Sequence, residues 1–417
     1  MKVDCYFLDG IFLEGDQKEL AEIAQNLQGI ADMPIDAIIA LLACWGREMS
    51  RDQALLKQEG VLYLATWLRK SNLERFLEIN LGNRYMLDGL VKMDPGFYLH
   101  AQPRGLVCHW IAGNMPTLAL FSLVQSLLAK NTNLLRLPKQ SLASVLPLLS
   151  LLQSVKIEHA GVPYNGKDLL AATSIIHFPS ENEEINREFS LAADCRVMWG
   201  GKEAIDSISS LPVKEHCESL VFGPKYSFMV IDEAGMNELA LVIAKETLLF
   251  GQDACTSPHV IFCEHASRGQ LKAFAQRLGE AFGQLQKQLP GNSQEVINYR
   301  TIYLLDPDKD IVCSKDLAWT ILIDDNLRLE EPVKSTTLFL KQINSVRDVI
   351  PLITHKVQTV GISISDEQKL LEFSELATHQ GAARCVSIGS MHDFEAPWDG
   401  MLSISRLVRW TYLHTRL

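Results

Sequence analysis

The chain lacks most of the short patterns that settle a chemistry at once. Its nine cysteines, at positions 5, 44, 108, 195, 217, 255, 263, 313 and 385, are dispersed, odd in number and contain no Cys-x-x-Cys pair. The eleven histidines include no His-Glu-x-x-His. A structural or catalytic zinc site is therefore not expected, and the thiols read as reduced cytoplasmic cysteines rather than a disulfide framework. No secretory leader is expected either, because the opening Met-Lys-Val-Asp-Cys-Tyr has no charged segment followed by an apolar one. No C-terminal lipidation motif is present. The uncharged stretches Gly105–Ala129 and Gln140–Val155 fall short of membrane spans. The first is broken by Gly113-Asn114-Met115-Pro116, and the second is short and carries Pro147. Basic clusters are also missing. With 39 Lys and Arg against 50 Asp and Glu the net charge is -11, which excludes the electrostatic footprint of a nucleic-acid binder.

What is present is a globular composition, 47% hydrophobic and 21% charged over 417 residues, too long for one core. Residues 15 to about 80 show helical spacing, as in Leu20, Ile23, Ala24 and Leu27, and Met93–Arg104 reads as a connecting loop rich in Pro and Gly. From about 105 the rhythm becomes strand then helix. Leu106–Ala112, Asn133–Leu137, Ser174–Phe178 and Arg196–Trp199 are strand candidates, with helices near 181–193 and 202–210. After Pro224 the pattern restarts with Tyr226–Ile231, His259–Cys263, Thr301–Leu305, Thr337–Lys341, Thr359–Ser363 and Arg384–Ile388. Such alternation implies βαβ units around parallel sheets, an α/β fold.

Three segments carry chemistry. Gly251-Gln252-Asp253-Ala254-Cys255-Thr256-Ser257-Pro258 lies between a predicted helix and a predicted strand, so Cys255 sits in a turn. It reads as an exposed nucleophile or as a buried structural thiol. His109–Pro116 places Asn114 on a rigid turn after a strand, either as an ordinary turn residue or as an amide donor to an oxyanion. His109 itself reads as structural. Trp199-Gly200-Gly201-Lys202 joins a strand to a helix, and its free N–H groups suit a pyrophosphate. A P-loop look-alike, Gly161–Asp168, ends in Asp where Mg²⁺ needs a hydroxyl, and is set aside.

Together and in order, these segments resemble the acyl-CoA reductase family, a divergent branch of the aldehyde dehydrogenase superfamily that includes the reductase subunit of the bacterial bioluminescence fatty-acid reductase complex. The resemblance runs from about residue 90 to the C-terminus. It is strongest at Gly113–Pro116, Trp199–Gly201, Phe222-Gly223-Pro224-Lys225, Gln252–Pro258, Trp398-Asp399-Gly400 and Leu407-Val408-Arg409-Trp410. It implies an aldehyde-dehydrogenase-like fold in four stretches: a helical N-terminal region over 1–100, a Rossmann-type NAD(P) domain over 101–226, a catalytic domain over 227–390, and a C-terminal segment over 391–417 returning to the cofactor domain. It implies Cys255 as nucleophile and Asn114 as oxyanion donor. Arg136 is placed on the adenosine ribose or its 2′-phosphate, Trp199, Gly200 and Gly201 on the pyrophosphate, and Glu331 on the nicotinamide ribose. It also implies NADPH as cofactor, an acyl-CoA or acyl-carrier substrate, an acyl-protein synthetase partner and a homo-oligomer.

Two departures from the superfamily matter. Val221 stands where aldehyde dehydrogenases carry the glutamate that activates water, and the nearby Glu218 is three residues away. An acyl-enzyme meant to be reduced has no use for that base. Gln252 and Cys255 are separated by two residues, where one is usual. The expected activity is NADPH-dependent reduction of an acyl thioester to an aldehyde through acyl-Cys255. A non-redox cysteine acyltransferase, an NAD(P)-dependent aldehyde dehydrogenase and a silent assembly subunit are the rival readings.

Overall fold

A computed structural model gives the architecture, and describes residues 1–113, 115–285 and 293–415. The chain divides into two compact units, Met1–Gly223 with Phe394–Leu417, and Pro224–Asp393. A seven-stranded sheet organises each.

In the first unit, strands β1 (Lys2–Leu8), β2 (Ile11–Glu19), β3 (Leu106–Trp110), β4 (Thr132–Arg136), β5 (Thr173–His177), β6 (Cys195–Trp199) and β7 (Glu218–Phe222) lie in the order β7-β6-β3-β4-β5-β1-β2. The five from β7 to β5 are parallel. Both faces of the sheet are covered, so β6 is buried at every position and shows no alternation in its sequence. The helix Leu118–Leu128 is buried at every residue but Leu118, as a helix apolar all round must be.

The N-terminal region differs from the sequence reading in two places. Before its helices (Leu20–Asn26, Ile35–Arg51, Val61–Trp67 and Lys70–Leu81) comes a β-hairpin, β1-β2, that pairs antiparallel with β5. Val3, Cys5 and Phe7 are buried at every second position, the period of a strand. β2 buries none of its residues, so nothing in its pattern announces it. The loop expected over Met93–Arg104 is instead the strands Val91–Asp94 and Phe97–Pro103, completed by the C-terminal strand Val408–His414. Gly96 makes that turn possible: its φ is +78°, and a Cβ there would stand 2.3 Å from the Thr415 carbonyl. Asn131 ties the C-terminal segment down. Its Oδ1 accepts from the Arg104 N–H at 2.8 Å, and its Nδ2 donates to the Leu407 carbonyl at 2.9 Å.

In the second unit, β8 (Tyr226–Ile231), β9 (Pro258–Glu264), β10 (Asp310–Cys313), β11 (Thr320–Asp324), β12 (Thr337–Ile343), β13 (Val357–Ser363) and β14 (Arg384–Ser387) lie in the order β10-β11-β12-β9-β8-β13-β14. All are parallel except β10. Alternate residues feed two cores: Met229, Ile231, Ile261 and Leu340 on one face, Phe228, Val230, Val260 and Phe339 on the other. Thr301–Leu305, expected as a strand, is the end of the helix Ser293–Leu305. Val296 and Tyr303 are buried seven residues apart, with Tyr299 half-buried between them, which is helical spacing. The Tyr303 hydroxyl then donates to Asp324.

Lys341, on β12, is fully buried. Its ammonium donates to Asp324 at 2.8 Å, Glu330 at 2.8 Å and the Asn326 carbonyl at 2.9 Å, which uses all three of its N–H donors. Removing the cation takes the buried charge partner from two carboxylates that are 3% and 6% exposed, leaving Asp324 with the Tyr303 hydroxyl and Glu330 with Arg328. Lys341→Met is expected to cost about 3–5 kcal/mol, seen as a large drop in melting temperature, whereas a drop no larger than that of a surface substitution would contradict this account.

Candidate active site

The helix Ala240–Leu248 cannot continue into Cys255, because Phe250 (φ 53°), Gly251 (φ 61°) and Gln252 (φ 61°) all take left-handed backbone. For the two non-glycine residues that costs about 1–2 kcal/mol each. Gln252 offsets the cost. It is 1% exposed, donates from Nε2 to the carbonyls of Pro258 and Thr337, both at 3.0 Å, and accepts the Thr337 N–H at 3.1 Å. Its carboxamide thus clamps the turn to the starts of β9 and β12. That is the role of Gln252, whose spacing from Cys255 is unusual.

The clamp delivers Cys255 into the turn ahead of β9, half-buried, with a thiol that joins no disulfide. Its carbonyl accepts from the Ser227 hydroxyl at 2.7 Å, and Ser227 Oγ accepts the Thr359 N–H at 3.1 Å. Thr256 comes next. Its hydroxyl lies 2.8 Å from His392 Nδ1, and His392 Nε2 lies 2.8 Å from the Glu246 carbonyl. A carbonyl only accepts, so Nε2 carries the proton and Nδ1 accepts from Thr256. Burial pushes the His392 imidazole down to about 4, with Arg384 adding to the effect, so the ring stays neutral. Glu246 belongs to the same cluster. Its Oε1 accepts the Met391 N–H at 2.7 Å, and burial raises the carboxyl to about 7 against the backbone N–H groups of Met391 and Gly389, which favour the ionised form. His259, on β9, is likewise held at about 4 by burial. Sequence reasoning missed Ser227, Thr256, His392 and Glu246 as a group. Their only local signal is that Thr256 follows Cys255.

In the first unit, the chain builds β3, β4 and β5 to one side and then returns to build β6 and β7 on the other. The switch point between β3 and β6 is where open α/β sheets take ligands, outside the carboxyl ends of the strands. Trp199 ends β6 with its ring stacked on Phe222 at 3.8 Å and its Nε1 on Ser122 at 3.1 Å, so its side chain is packing. Gly200 donates to the Phe222 carbonyl at 3.3 Å. Gly201 caps the helix Lys202–Ser209 with ordinary φ and ψ of -68° and 169°, and a Cβ built on it meets nothing within 4 Å. A glycine beside open space, ahead of unbonded helix N–H groups, is a cradle that fits a pyrophosphate. Arg136 ends β4 with Nε and one terminal nitrogen on the Phe178 carbonyl, at 3.2 and 3.1 Å. Asn114 lies outside the described residues. Glu331 is an exposed loop residue of the second unit, next to the Glu330 that Lys341 holds. His109 is buried between Ser122 and Asn133, at 2.8 and 3.1 Å, and is structural. Glu218 is spent on ion pairs with Arg104 and Arg406, and Val221 beside it is 37% exposed. Among the described residues no cluster of His, Cys, Asp or Glu is arranged to hold a metal, and no helix is long and apolar enough to cross a membrane.

This is the fold of the aldehyde dehydrogenase class. Solved structures with the same fold include 1-pyrroline-5-carboxylate dehydrogenase from Thermus thermophilus (TM-score 0.69, 14% identity, 100% of this chain and 93% of that one). A second is PnpE in complex with nicotinamide adenine dinucleotide (TM-score 0.66, 13% identity, 99% and 97%). Within the class, residues 30–410 match the family described as acyl-CoA reductase (LuxC), and the chain belongs to it. Relatives include the long-chain acyl-protein thioester reductase of Vibrio harveyi, 25% identical over 92% of this chain and 84% of its own length. Long-chain acyl-protein thioester reductase 2 of Photobacterium leiognathi is 22% identical over 85% and 74%.

The raised carboxyl of Glu246 fixes a sign for stability against pH. Between its ordinary value of 4.5 and about 7, the folded chain holds a proton that the unfolded chain has lost. The stabilisation is complete below 4.5 and fades as pH rises through 7. Glu246→Gln is therefore expected to melt above the wild type at pH 8, with the gap closing towards pH 5, as calorimetry at both values will show. A gap that stays constant or widens at low pH would contradict the assignment.

Proposed function

We propose that the protein reduces an acyl thioester, fatty acyl-CoA or an acyl group carried on a partner protein, to an aldehyde with NADPH. The observation that carries the reading is the Cys255 turn: a half-buried thiol in a strained turn, held by its carbonyl, its neighbour's hydroxyl and a buried carboxamide. The Cys255 thiolate attacks the thioester carbon, a carbon–Sγ bond forms, and the bond to the leaving thiolate breaks. Asn114 and local backbone N–H groups stabilise the oxyanion. Gly200, Gly201 and the helix they open would hold the pyrophosphate of a nicotinamide cofactor. Arg136 would meet the adenosine ribose or its 2′-phosphate, and Glu331 the nicotinamide ribose. When bound, that cofactor supplies the hydride. Cys255 then leaves as thiolate, and the aldehyde departs. Val221 supplies no base for water, which favours reduction over hydrolysis. The names of the relatives support a long acyl chain and an acyl-protein donor, hence an acyl-protein synthetase as partner, and aldehyde dehydrogenase architecture supports a homo-oligomer.

Purified protein given acyl-CoA and NADPH is expected to consume NADPH and release aldehyde. Acyl transfer without NADPH consumption would favour a transferase instead. Cys255→Ala is expected to take no label from radioactive acyl-CoA, and persistent labelling would refute its role. Gly201→Val tests cofactor binding apart from folding, because a Cβ there meets nothing within 4 Å. Valine is a poorer helix cap than glycine, so stability should fall by about 1 kcal/mol at most, while affinity for NADPH falls at least about tenfold, the loss expected when a side chain blocks the phosphate's approach to helix N–H groups. Wild-type affinity would remove Gly201 from the cofactor site.

A further inference from the structure

The Cys255–Thr256 peptide is held from two directions by groups far apart in the chain. On the Cys255 side, the Ser227 hydroxyl holds the carbonyl at 2.7 Å and is itself tied to the Thr359 N–H of β13. On the Thr256 side, the hydroxyl is bound to His392, whose other nitrogen is bound to the Glu246 carbonyl near the end of the helix Ala240–Leu248. His392 is 7% exposed and Thr256 4% exposed, so neither competes with solvent for these bonds. The ring also stacks edge-on against Phe250, the first left-handed residue of the turn, with centroids 5.3 Å apart.

In a trans peptide the N–H points away from the carbonyl. With the carbonyl fixed towards Ser227, the Thr256 N–H points the opposite way, and no described residue accepts it. A buried turn that spends a histidine, a threonine and a serine on one peptide, with no acceptor for its N–H among the described residues, leaves that N–H for another acceptor.

We propose that Thr256 and His392 are positioning residues of the acyl-transfer step, which fix the Cys255–Thr256 peptide so that its N–H donates to the oxyanion formed when Cys255 attacks a thioester. His392 touches no substrate. It acts only through the Thr256 hydroxyl, and its neutral form serves as the acceptor in that bond. The inference rests on the acyl-enzyme reading above and adds to it a donor and the two side chains that aim it.

Two electrophiles test the assignment. Attack on a thioester builds an oxyanion, whereas alkylation by iodoacetamide displaces iodide at a CH₂ carbon and builds none. Thr256→Val keeps the shape and removes the hydroxyl. It is expected to slow acylation of Cys255 by acyl-CoA about 10- to 100-fold, the scale of a small misplacement at a reacting centre. Iodoacetamide alkylation should stay within about threefold, with the variant melting lower by one buried hydrogen bond but still folded at the assay temperature. Thr256→Ser should restore acylation. His392→Leu should slow acylation to the same extent, and the double variant no further, since both remove one unit. If His392→Leu fails to fold, the Thr256 pair still decides the question. Equal losses with both electrophiles would mean the brace only shapes the turn, and undiminished acylation in Thr256→Val would overturn the proposal. A wild-type protein that iodoacetamide alkylates but acyl-CoA never labels would instead overturn the acyl-enzyme reading beneath it.

Discussion

The presentation of Cys255 depends on one buried carboxamide. Left-handed backbone at Phe250, Gly251 and Gln252 turns the chain out of its helix, and a second left-handed run at Lys334, Ser335 and Thr336 brings in β12. Neither run is favoured by its own residues, five of which carry a Cβ. Gln252 joins them: its Oε1 and Nε2 bind both polar groups of Thr337, directly after the second run, and Nε2 also binds Pro258 beyond Cys255. Three buried hydrogen bonds, each worth about 1 kcal/mol or somewhat more in a dry setting, offset part of what the two strained turns cost. The two-residue spacing between Gln252 and Cys255 then has a physical reading. One extra residue lets the amide reach back under the turn as a strut and leaves the thiol outside it.

The first unit is governed by topology instead of strain. Because β6 returns to the far side of β3, the sheet has a switch point between these two strands, and sheets of this kind take ligands at the carboxyl edge beside it. Gly200 and Gly201 border it. Gly200 needs to be small, since a Cβ there would come within 3.3 Å of Ala204, whereas Gly201 has no such neighbour. Packing therefore accounts for the first glycine and not for the second. A glycine there leaves the helix N–H groups behind it open to approach, which is what the proposed cofactor site asks of that position.

Much of this was legible in the sequence, for reasons that can be named. The parallel strands are short Val, Ile and Leu runs between helical stretches, and Cys255 falls between a helix pattern and a strand pattern, with Gly251 and Pro258 as brackets. Thr301–Leu305 misled because a five-residue apolar run has no period of its own. Only Val296, a full two turns upstream, shows that Tyr303 belongs to a helix. β2 was hidden because it buries nothing, and β1 because the charged residues of its partner strand diluted the alternation. The Thr256–His392 contact joins positions 136 apart. No spacing rule reaches that far, so a histidine in the segment after β14 carried no mark of its role.

The same contact bears on how the thiol is made reactive. Cysteine nucleophiles are commonly activated by an imidazole that takes the proton or by a cation that stabilises the thiolate. Neither buried imidazole near this turn is suited to that task. His392 has both ring nitrogens engaged and is held neutral by burial, and His259, pushed to about 4, cannot be a cation at neutral pH. Glu246, raised to about 7, is only part ionised near neutrality, and one of its oxygens is taken by the Met391 N–H. What the turn does offer is oriented backbone. Backbone N–H groups stabilise a thiolate before attack and an oxyanion during it, without providing a base that would deliver water to the acyl-enzyme. A site built that way would be slow to hydrolyse what it holds, the condition the proposed acyl-Cys255 has to meet before hydride reaches it.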